Sequence, residues 1–214
     1  MTPTNKTTQN ADSQAAMTPQ RALAMLAEGN ERFRENRVLD RDLCHQVAQT
    51  AGGQWPFAAV LSCIDSRTSS ELIFDAGIGD LFSARVAGNC INEDVLGSLE
   101  FACGVAGTPL VVVMGHSRCG AVKGACDDVQ LGNLTALLAK IKPAVEAVKE
   151  PADAAQRTSA NAAFVEEVAR KNVELCLEAL RERSAVLRDL ERDGKIMIVG
   201  AQYDVATGMV EFSQ

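Results

Sequence analysis

Residues 110–114, Leu-Val-Val-Val-Met, are the segment that most restricts the fold of this chain. Pro109 precedes the segment and Gly115 ends it, and its β-branched residues favour a strand over a helix. A strand that is apolar on both faces has to be covered on both faces, which is typical of a parallel sheet between layers of helices. The segment therefore predicts an α/β protein.

The remaining apolar segments fit the same architecture. Helical patterns lie between the strand-like runs, and the first helix is expected to begin at Thr18-Pro19, a cap residue followed by proline. The alternation predicts a mainly parallel central β-sheet flanked by helices, with late edge strands at the C-terminus. Further strands are expected at 57–61, 81–86, 196–201 and 209–212, and further helices near 40–50, 92–107, 131–148 and 162–183.

Length and composition narrow the class of protein. The 214 residues suit one domain, expected at 18–214, after a polar, disordered tail at 1–17 that lacks a secretory signal. A net charge of -7 without a basic cluster argues against a nucleic-acid partner, and no apolar run is long enough to span a bilayer. Seven cysteines without the dense spacing of a disulfide scaffold suit a reducing compartment, so we expect a cytoplasmic protein.

Two short motifs carry the chemistry. Cys63-Ile64-Asp65-Ser66-Arg67 follows the strand predicted at 57–61, and His116-Ser117-Arg118-Cys119-Gly120 follows the strand predicted at 110–114. Ligands of open parallel sheets bind just beyond the carboxyl ends of the strands, which is where both motifs fall. The sequence therefore predicts that the two motifs meet at one site.

The site is predicted to hold one Zn²⁺ per chain. Cys63, His116 and Cys119 supply thiolate and imidazole ligands, and a catalytic zinc keeps a fourth position for water. Thiolate sulfur disfavours Mg²⁺ and Ca²⁺. Asp65 is the alternative fourth ligand, in a closed state of the site.

Other interpretations of these residues stay open. Asp65 and Arg67 are also compatible with a structural ion pair, since such pairs form without any catalytic role. Cys44-His45 is a rival ligand pair, but adjacent residues on a helix project about 100° apart, so we expect a surface histidine there. The four remaining cysteines are expected to be core or neutral thiols.

At these motifs the chain resembles the β-carbonic anhydrases, whose hallmark is C-x-D-x-R followed some fifty residues later by H-x-x-C. Residues 80–89, Asp-Leu-Phe-Ser-Ala-Arg-Val-Ala-Gly-Asn, and residues 114–120, Met-Gly-His-Ser-Arg-Cys-Gly, look like two further segments of that family. The similarity runs from about Thr18 to the C-terminus. The resemblance implies the β-carbonic anhydrase fold and a lyase that reversibly hydrates carbon dioxide to bicarbonate and a proton through zinc-bound hydroxide.

The resemblance also implies roles for individual residues. Cys63, His116 and Cys119 would bind zinc, and Asp65 with Arg67 would form the catalytic dyad. The implied substrate-binding residues are Gln54, Phe82, Ala87, Phe101 and Gly120; Gln54 and Phe82 favour the plant-like branch, whereas Phe101 and Ala87 replace the Tyr and Val often found there. The family usually builds this pocket at a subunit interface, so a homodimer or homotetramer is expected, in which Gln54 and Phe82 serve the neighbouring subunit.

Two other functions are compatible with the same motifs. Some relatives of the β-carbonic anhydrases hydrolyse carbonyl sulfide or carbon disulfide, and the motifs do not separate these substrates from carbon dioxide. The other rival is a non-catalytic, zinc-stabilised interaction protein in which Asp65 is a permanent fourth ligand. The presence of Arg67 and Gln54 argues against this second rival.

Overall fold

The central sheet contains four parallel strands, so their carboxyl ends lie on the same side of the sheet. The structure is a computed structural model that describes residues 8–213. Within these residues one five-stranded sheet has the order β2-β1-β3-β4-β5, in which the first four strands are parallel and β5 is antiparallel to β4. The strands are β1 (Ala58–Ser62), β2 (Leu81–Arg85), β3 (Leu110–His116), β4 (Met197–Tyr203) and β5 (Val210–Ser213). The predicted α/β class and the late edge strands are confirmed.

Helices cover both faces of this sheet. The described α-helices are α1 (Ala11–Ala15), α2 (Pro19–Arg34), α3 (Leu43–Thr50), α4 (Ser70–Ile73), α5 (Glu93–Glu100), α6 (Gly120–Cys126), α7 (Gly132–Leu138), α8 (Lys142–Ala147), α9 (Ala162–Arg183) and α10 (Ala185–Arg192). A π-helical turn, Phe101–Val105, continues α5, and a 3₁₀ turn, Ala87–Asn89, follows β2. None of the helices formed by the described residues has the length and apolarity that crossing a lipid bilayer requires.

Side chains of the buried strands alternate between two cores. In β1, Ala59 and Leu61 pack in the core shared with α5, α9 and α10, whereas Ala58 and Val60 pack in the core shared with α2 and α4. Every residue of β1 and of β3 is buried. Continuous apolar runs therefore form these strands because both of their faces are covered.

One helix begins as its sequence predicts, and one predicted helical region is interrupted. Thr18 caps α2, accepting a hydrogen bond from the amide of Arg21 at 3.1 Å, and Pro19 is the first helical residue. The region 131–148 divides into α7 and α8, and Pro143 lies in the first turn of α8. Proline has no amide hydrogen and clashes with the preceding turn, so it starts a helix and does not continue one.

The N-terminal segment differs in part from the expected tail. Residues 1–7 of the tail predicted at 1–17 lie outside the described residues, but Ala11–Ala15 form α1. The side chain of Asn10 accepts from the amide of Ser13, and the hydroxyl of Ser13 accepts from the amide of Asn10, both at 2.9 Å. This reciprocal capping box satisfies amides that a short helix otherwise leaves without partners. Nε2 of the Gln14 side chain also donates to the carbonyl of Pro56 at 3.1 Å.

Candidate metal centre

Three potential metal ligands converge at the carboxyl edge of the sheet. Cys63 directly follows β1, His116 ends β3 and Cys119 precedes α6, and their ligand atoms lie within 4.8 Å of one another. All three side chains are buried. The two sulfur atoms are 4.0 Å apart, and sulfurs about 2.3 Å from a tetrahedral zinc ion would be about 3.8 Å apart. The predicted convergence of the two motifs is confirmed.

His116 leaves one ring nitrogen available to a metal. Its Nδ1 lies 3.0 Å from the carbonyl oxygen of Ser117, which only accepts, so Nδ1 donates to that oxygen and Nε2 is the nitrogen left for a ligand bond. Nε2 is buried and has no hydrogen-bond partner among the described residues. A buried acceptor without a partner is costly, whereas a metal ion in this position would be its partner. The donor set therefore fits a cation.

The pKa values of the two ligand cysteines are shifted in opposite directions. The pKa of Cys63 is lowered to about 4, first because Cys119 donates to its sulfur and also because the amide of Gly88 donates to it at 3.3 Å. The pKa of Cys119 is raised above its ordinary value, because the Cys63 thiolate lies beside it and because it is buried. The shift favours the thiolate form at Cys63, and a bound cation would favour that form at both sulfurs, because thiolates and not thiols bind metal.

A strained turn brings His116 and Cys119 to the same point. Arg118 between them has a φ of 57°, in the left-handed region that residues with a side chain rarely adopt. Ser117 holds this turn: its amide donates to the carbonyl of Tyr203 at 2.9 Å, and its hydroxyl donates to Asp204 at 3.0 Å. The side chain of Arg118 is exposed.

Asp65 lies beside the three ligands but outside their group. Among the described residues, the metal-ligand group consists of Cys63, His116 and Cys119, and the carboxylate of Asp65 instead binds Arg67. Nε and Nη2 of Arg67 donate to the two oxygens of Asp65 at 2.8 and 2.7 Å. This pairing with Arg67 lowers the pKa of Asp65 below its usual range. Asp65 is therefore a carboxylate at neutral pH.

Two residues to which the motifs assign no role hold the loop after β1. Arg85, at the end of β2, donates to the carbonyls of Cys63 at 3.0 Å and of Asp65 at 2.6 Å. The buried hydroxyl of Thr68 lies 2.9 Å from the same two carbonyls. The sequence carries a signal for Arg85, because it is a charged residue at the end of a predicted strand. In the structure Arg85 pairs in register with Ser62, which directly precedes Cys63.

The predicted substrate-binding residues fall into two groups within one chain. Ala87 and Gly120 lie near the metal ligands. Ala87 precedes Gly88, whose amide contacts the sulfur of Cys63, and Gly120 follows the ligand Cys119. Gln54 is exposed and precedes β1, at the opposite end of that strand from Cys63. Phe82 pairs in register with Ala59, near the start of β1 and so also away from Cys63. Its ring packs edge-on against that of Phe101, with ring centroids 6.2 Å apart.

Among the described residues, the other cysteines and the second histidine do not belong to the metal-ligand group. Cys44 and His45 are exposed on α3, so the expected surface histidine is confirmed. Burial raises the pKa of Cys90 to about 11, and that of Cys103 and Cys176 to about 12. These thiols therefore stay protonated at neutral pH, as expected of core cysteines.

Comparison with known proteins places this geometry in a family. A family model described as "Carbonic anhydrase" matches residues 58–210. Carbonic anhydrase 2 of Mycobacterium tuberculosis is 36% identical over 192 residues, which cover 89% of this chain and 90% of that protein. The matched region contains both motifs and all three metal ligands.

Solved structures share the fold. The β-carbonic anhydrase CafA of Aspergillus fumigatus superposes with a TM-score of 0.67 at 27% identity, covering 90% of this chain and 89% of that one. A structure of the tetrameric β-carbonic anhydrases of Sordaria macrospora superposes with a TM-score of 0.66 at 22% identity, covering 79% of this chain and 89% of that one.

Proposed function

Because this chain belongs to the carbonic anhydrase family and is an enzyme of reversible carbon dioxide hydration, we propose that its metal is zinc and that Asp65 and Arg67 complete its catalytic site. One Zn²⁺ per chain would be held by Cys63, His116 and Cys119. Zinc lowers the pKa of water that it binds, and so supplies the nucleophile for carbon dioxide near neutral pH.

The observation that carries this proposal is the donor set itself. Two buried sulfurs 4.0 Å apart and an imidazole nitrogen without a hydrogen-bond partner have the softness and the spacing that zinc prefers. Mg²⁺ and Ca²⁺ prefer oxygen ligands, so they fit these residues poorly. The hydrogen bond from Nδ1 of His116 to Ser117 keeps the ring oriented with Nε2 towards the sulfurs.

Asp65 acts as a hydrogen-bond acceptor held in place by Arg67. Both oxygens of the Asp65 carboxylate are bound to the guanidinium, so the side chain is kept away from the metal ligands and in one orientation. A carboxylate in this position accepts a hydrogen bond from the attacking water and so aims the lone pair of the water oxygen at the carbon of carbon dioxide. Arg67 is therefore a positioning residue, and release of Asp65 onto the metal would close the site.

A second copy of the chain completes the substrate pocket. A groove of about 590 Å³ lies beside the edge strand β2 and is lined by Phe82, Leu99 and Phe101, and half of the surface of Phe101 is exposed. Apolar surface of this kind next to an uncovered strand is typical of a subunit interface. We propose a homodimer or homotetramer in which Gln54 and Phe82 line the metal centre of the neighbouring subunit.

The function is tested by stopped-flow carbon dioxide hydration on protein of known metal content, at several pH values. The expected result is about one zinc per chain and a hydration rate that rises with pH. A carbonyl sulfide assay runs beside it, and faster turnover of carbonyl sulfide would contradict the proposed substrate. One zinc per chain without hydration above pH 8 would instead support a structural zinc site.

The assembly is tested by analytical ultracentrifugation. The wild-type chain is expected to sediment as a dimer or tetramer, and Phe101→Glu is expected to dissociate it, because the charge would be buried in the interface. Leu131→Glu, at an exposed residue that precedes α7, is the matched control and should leave the assembly intact. A monomeric wild-type chain with full activity would overturn the shared pocket.

A cytoplasmic location is also proposed. Its support is the set of cysteines, all seven of which are free although five of them are buried. Free thiols of this number persist best in a reducing compartment. Detection of the protein in a cytoplasmic fraction with all seven thiols titratable after denaturation would agree, and detection in an oxidising compartment would contradict it.

A further inference from the structure

Asn172 is a buried polar residue on an otherwise apolar face of α9. Its neighbours on that face, Val168, Ala169, Val173 and Cys176, are all buried, and Asn172 itself is 3% exposed. Burying a carboxamide without hydrogen bonds is unfavourable, so such a residue normally has a specific partner. The hydrogen-bond partner of this carboxamide therefore indicates the role of Asn172.

That partner is the turn that touches a metal ligand. Nδ2 of Asn172 donates to the carbonyl of Gly88 at 2.9 Å, and the amide of the same Gly88 donates to the sulfur of Cys63 at 3.3 Å. Gly88 therefore lies between Asn172 and Cys63, with one hydrogen bond to each. These two hydrogen bonds link Asn172 of α9 to Cys63 through Gly88.

The backbone of this turn is unusual and needs an anchor. Gly88 has a φ of 66° and Asn89 has a φ of 45°, so two successive residues lie in the left-handed region. A Cβ on Gly88 would meet Cδ1 of Ile141 at 2.5 Å, so any other residue would have to displace that side chain as well as adopt the unfavourable φ. Such strained turns persist only when the surrounding structure holds them.

Asn172 is the strongest of the side-chain donors that hold the turn. The thiol of Cys90 donates to the carbonyl of Gly88 at 3.6 Å, and the thiol of Cys176 donates to the carbonyl of Asn89 at 3.4 Å. A thiol is a weak donor, whereas a carboxamide makes an ordinary hydrogen bond. Loss of Asn172 would therefore leave the turn without its main anchor.

We propose that Asn172 is a positioning residue of the metal centre, which keeps the amide of Gly88 hydrogen-bonded to the sulfur of Cys63. The proposal rests on the proposed metal site. A hydrogen bond to a ligating sulfur withdraws part of its negative charge, which strengthens the metal as an electrophile, and such supporting contacts typically change metal affinity or activity about 10- to 100-fold. Asn172 thus acts on the metal through Gly88 without touching it.

The test uses cobalt as the probe, because Co²⁺ bound to thiolate has an absorption band that reports the electron density on sulfur. In Asn172→Leu we expect this band to move to longer wavelength, since the sulfur loses a hydrogen bond. We also expect Co²⁺ and Zn²⁺ affinities, measured by chelator competition, to fall about 10- to 100-fold. An unmoved band with wild-type affinity would overturn the proposal.

Two controls separate positioning from general loss of packing. Val173→Ala is the neighbouring buried residue on α9, and Cys176→Ala removes the weak donor one turn further along; both should keep the wild-type band. A band that moves equally in Val173→Ala would also overturn the proposal. A wild-type protein without any thiolate band would overturn the proposed metal site itself, and with it this inference.

A measurement on the wild-type chain covers the case in which Asn172→Leu does not fold. In protein loaded with ¹¹³Cd, the amide of Gly88 should show scalar coupling to the metal through the sulfur of Cys63. Asn172→Ala then replaces the leucine variant and is expected to weaken this coupling. Absence of the Gly88 coupling in the wild type would overturn the proposal, whatever the variants do.

Discussion

Arg67 binds Asp65 through both its side chain and its backbone. Besides the two guanidinium contacts, the amide of Arg67 donates to Oδ1 of Asp65 at 3.0 Å. The side chain of Asp65 is 17% exposed and that of Arg67 is 47% exposed, so Asp65 is the more buried partner. The pair therefore fixes a charged acceptor next to the metal ligands without making it one of them.

Replacement of Arg67 by Gln is expected to reduce carbon dioxide hydration about 100-fold or more, because Asp65 would lose its orientation. Arg67→Lys should restore little, since an ammonium group cannot make two parallel hydrogen bonds to a carboxylate. Stopped-flow kinetics measures both. Arg192→Gln, which removes an exposed ion pair on α10, is the control and should keep wild-type rates. Full activity of Arg67→Gln would show that the Asp65–Arg67 pair is not needed for catalysis.

The same ion pair predicts how stability depends on pH. Arg67 lowers the pKa of Asp65 in the folded state, whereas an unfolded aspartate titrates near 3.9. The stabilisation is thus fully present above about pH 4 and is lost as pH falls through the lowered pKa. Urea unfolding of metal-free Asp65→Asn should differ most from the wild type at pH 7 and progressively less below pH 4. Glu167→Gln, a surface carboxylate on α9, is the control; a difference that grows in acid would contradict the sign.

Loss of either cysteine ligand should abolish tight zinc binding. In Cys63→Ser and Cys119→Ser a thiolate is replaced by a hydroxyl, which is a poor ligand at neutral pH, so we expect affinity to fall by more than about 100-fold and hydration to disappear. Elemental analysis and chelator competition measure this. Cys44→Ser, at an exposed thiol of α3, should keep about one zinc per chain. Unchanged zinc content in both ligand variants would exclude the site.

Asp75 is expected to be important for stability and not for catalysis. Its side chain is 2% exposed, accepts from Nε of Arg32 at 2.6 Å and also pairs with Arg41, which is 11% exposed. Asp75→Asn would leave two partly buried guanidinium groups without their anion, at a cost of about 3 kcal/mol in the free energy of unfolding. Urea denaturation measures this cost. Asp189→Asn, in an exposed pair, should cost at most about 0.5 kcal/mol.

Alanine substitutions at Gly88 and Gly104 test whether the backbone at Gly88 is strained. Gly88→Ala should destabilise the chain by about 2 kcal/mol, because alanine is unfavourable at a φ of 66° and would contact Ile141. Gly104 lies in the turn that continues α5, where an added Cβ meets Val186 at an ordinary 3.5 Å. Gly104→Ala should therefore be neutral or stabilising by up to about 1 kcal/mol. Equal effects in denaturation experiments would argue against a strained turn at Gly88.

Local sequence was sufficient for the strands and for the metal ligands. Apolar runs that end in glycine or in a polar motif predict buried strands, because a strand covered on both faces needs apolar residues at every position. The ligands were identifiable because Cys63 and His116 each stand at the end of such a run. Parallel strands bring their carboxyl ends to one edge, so position along the chain was enough to predict convergence.

Contacts between distant segments depended on the tertiary structure. The link from Asn172 to Gly88 joins residues 84 positions apart, and no local pattern specifies which carbonyl a buried carboxamide reaches. Gln54 lies near Cys63 in sequence but at the other end of β1, because an extended chain advances about 3.3 Å per residue. The chain thus encodes its strands and ligands through local chemistry, whereas the hydrogen bonds that position those ligands depend on how helices pack across the sheet.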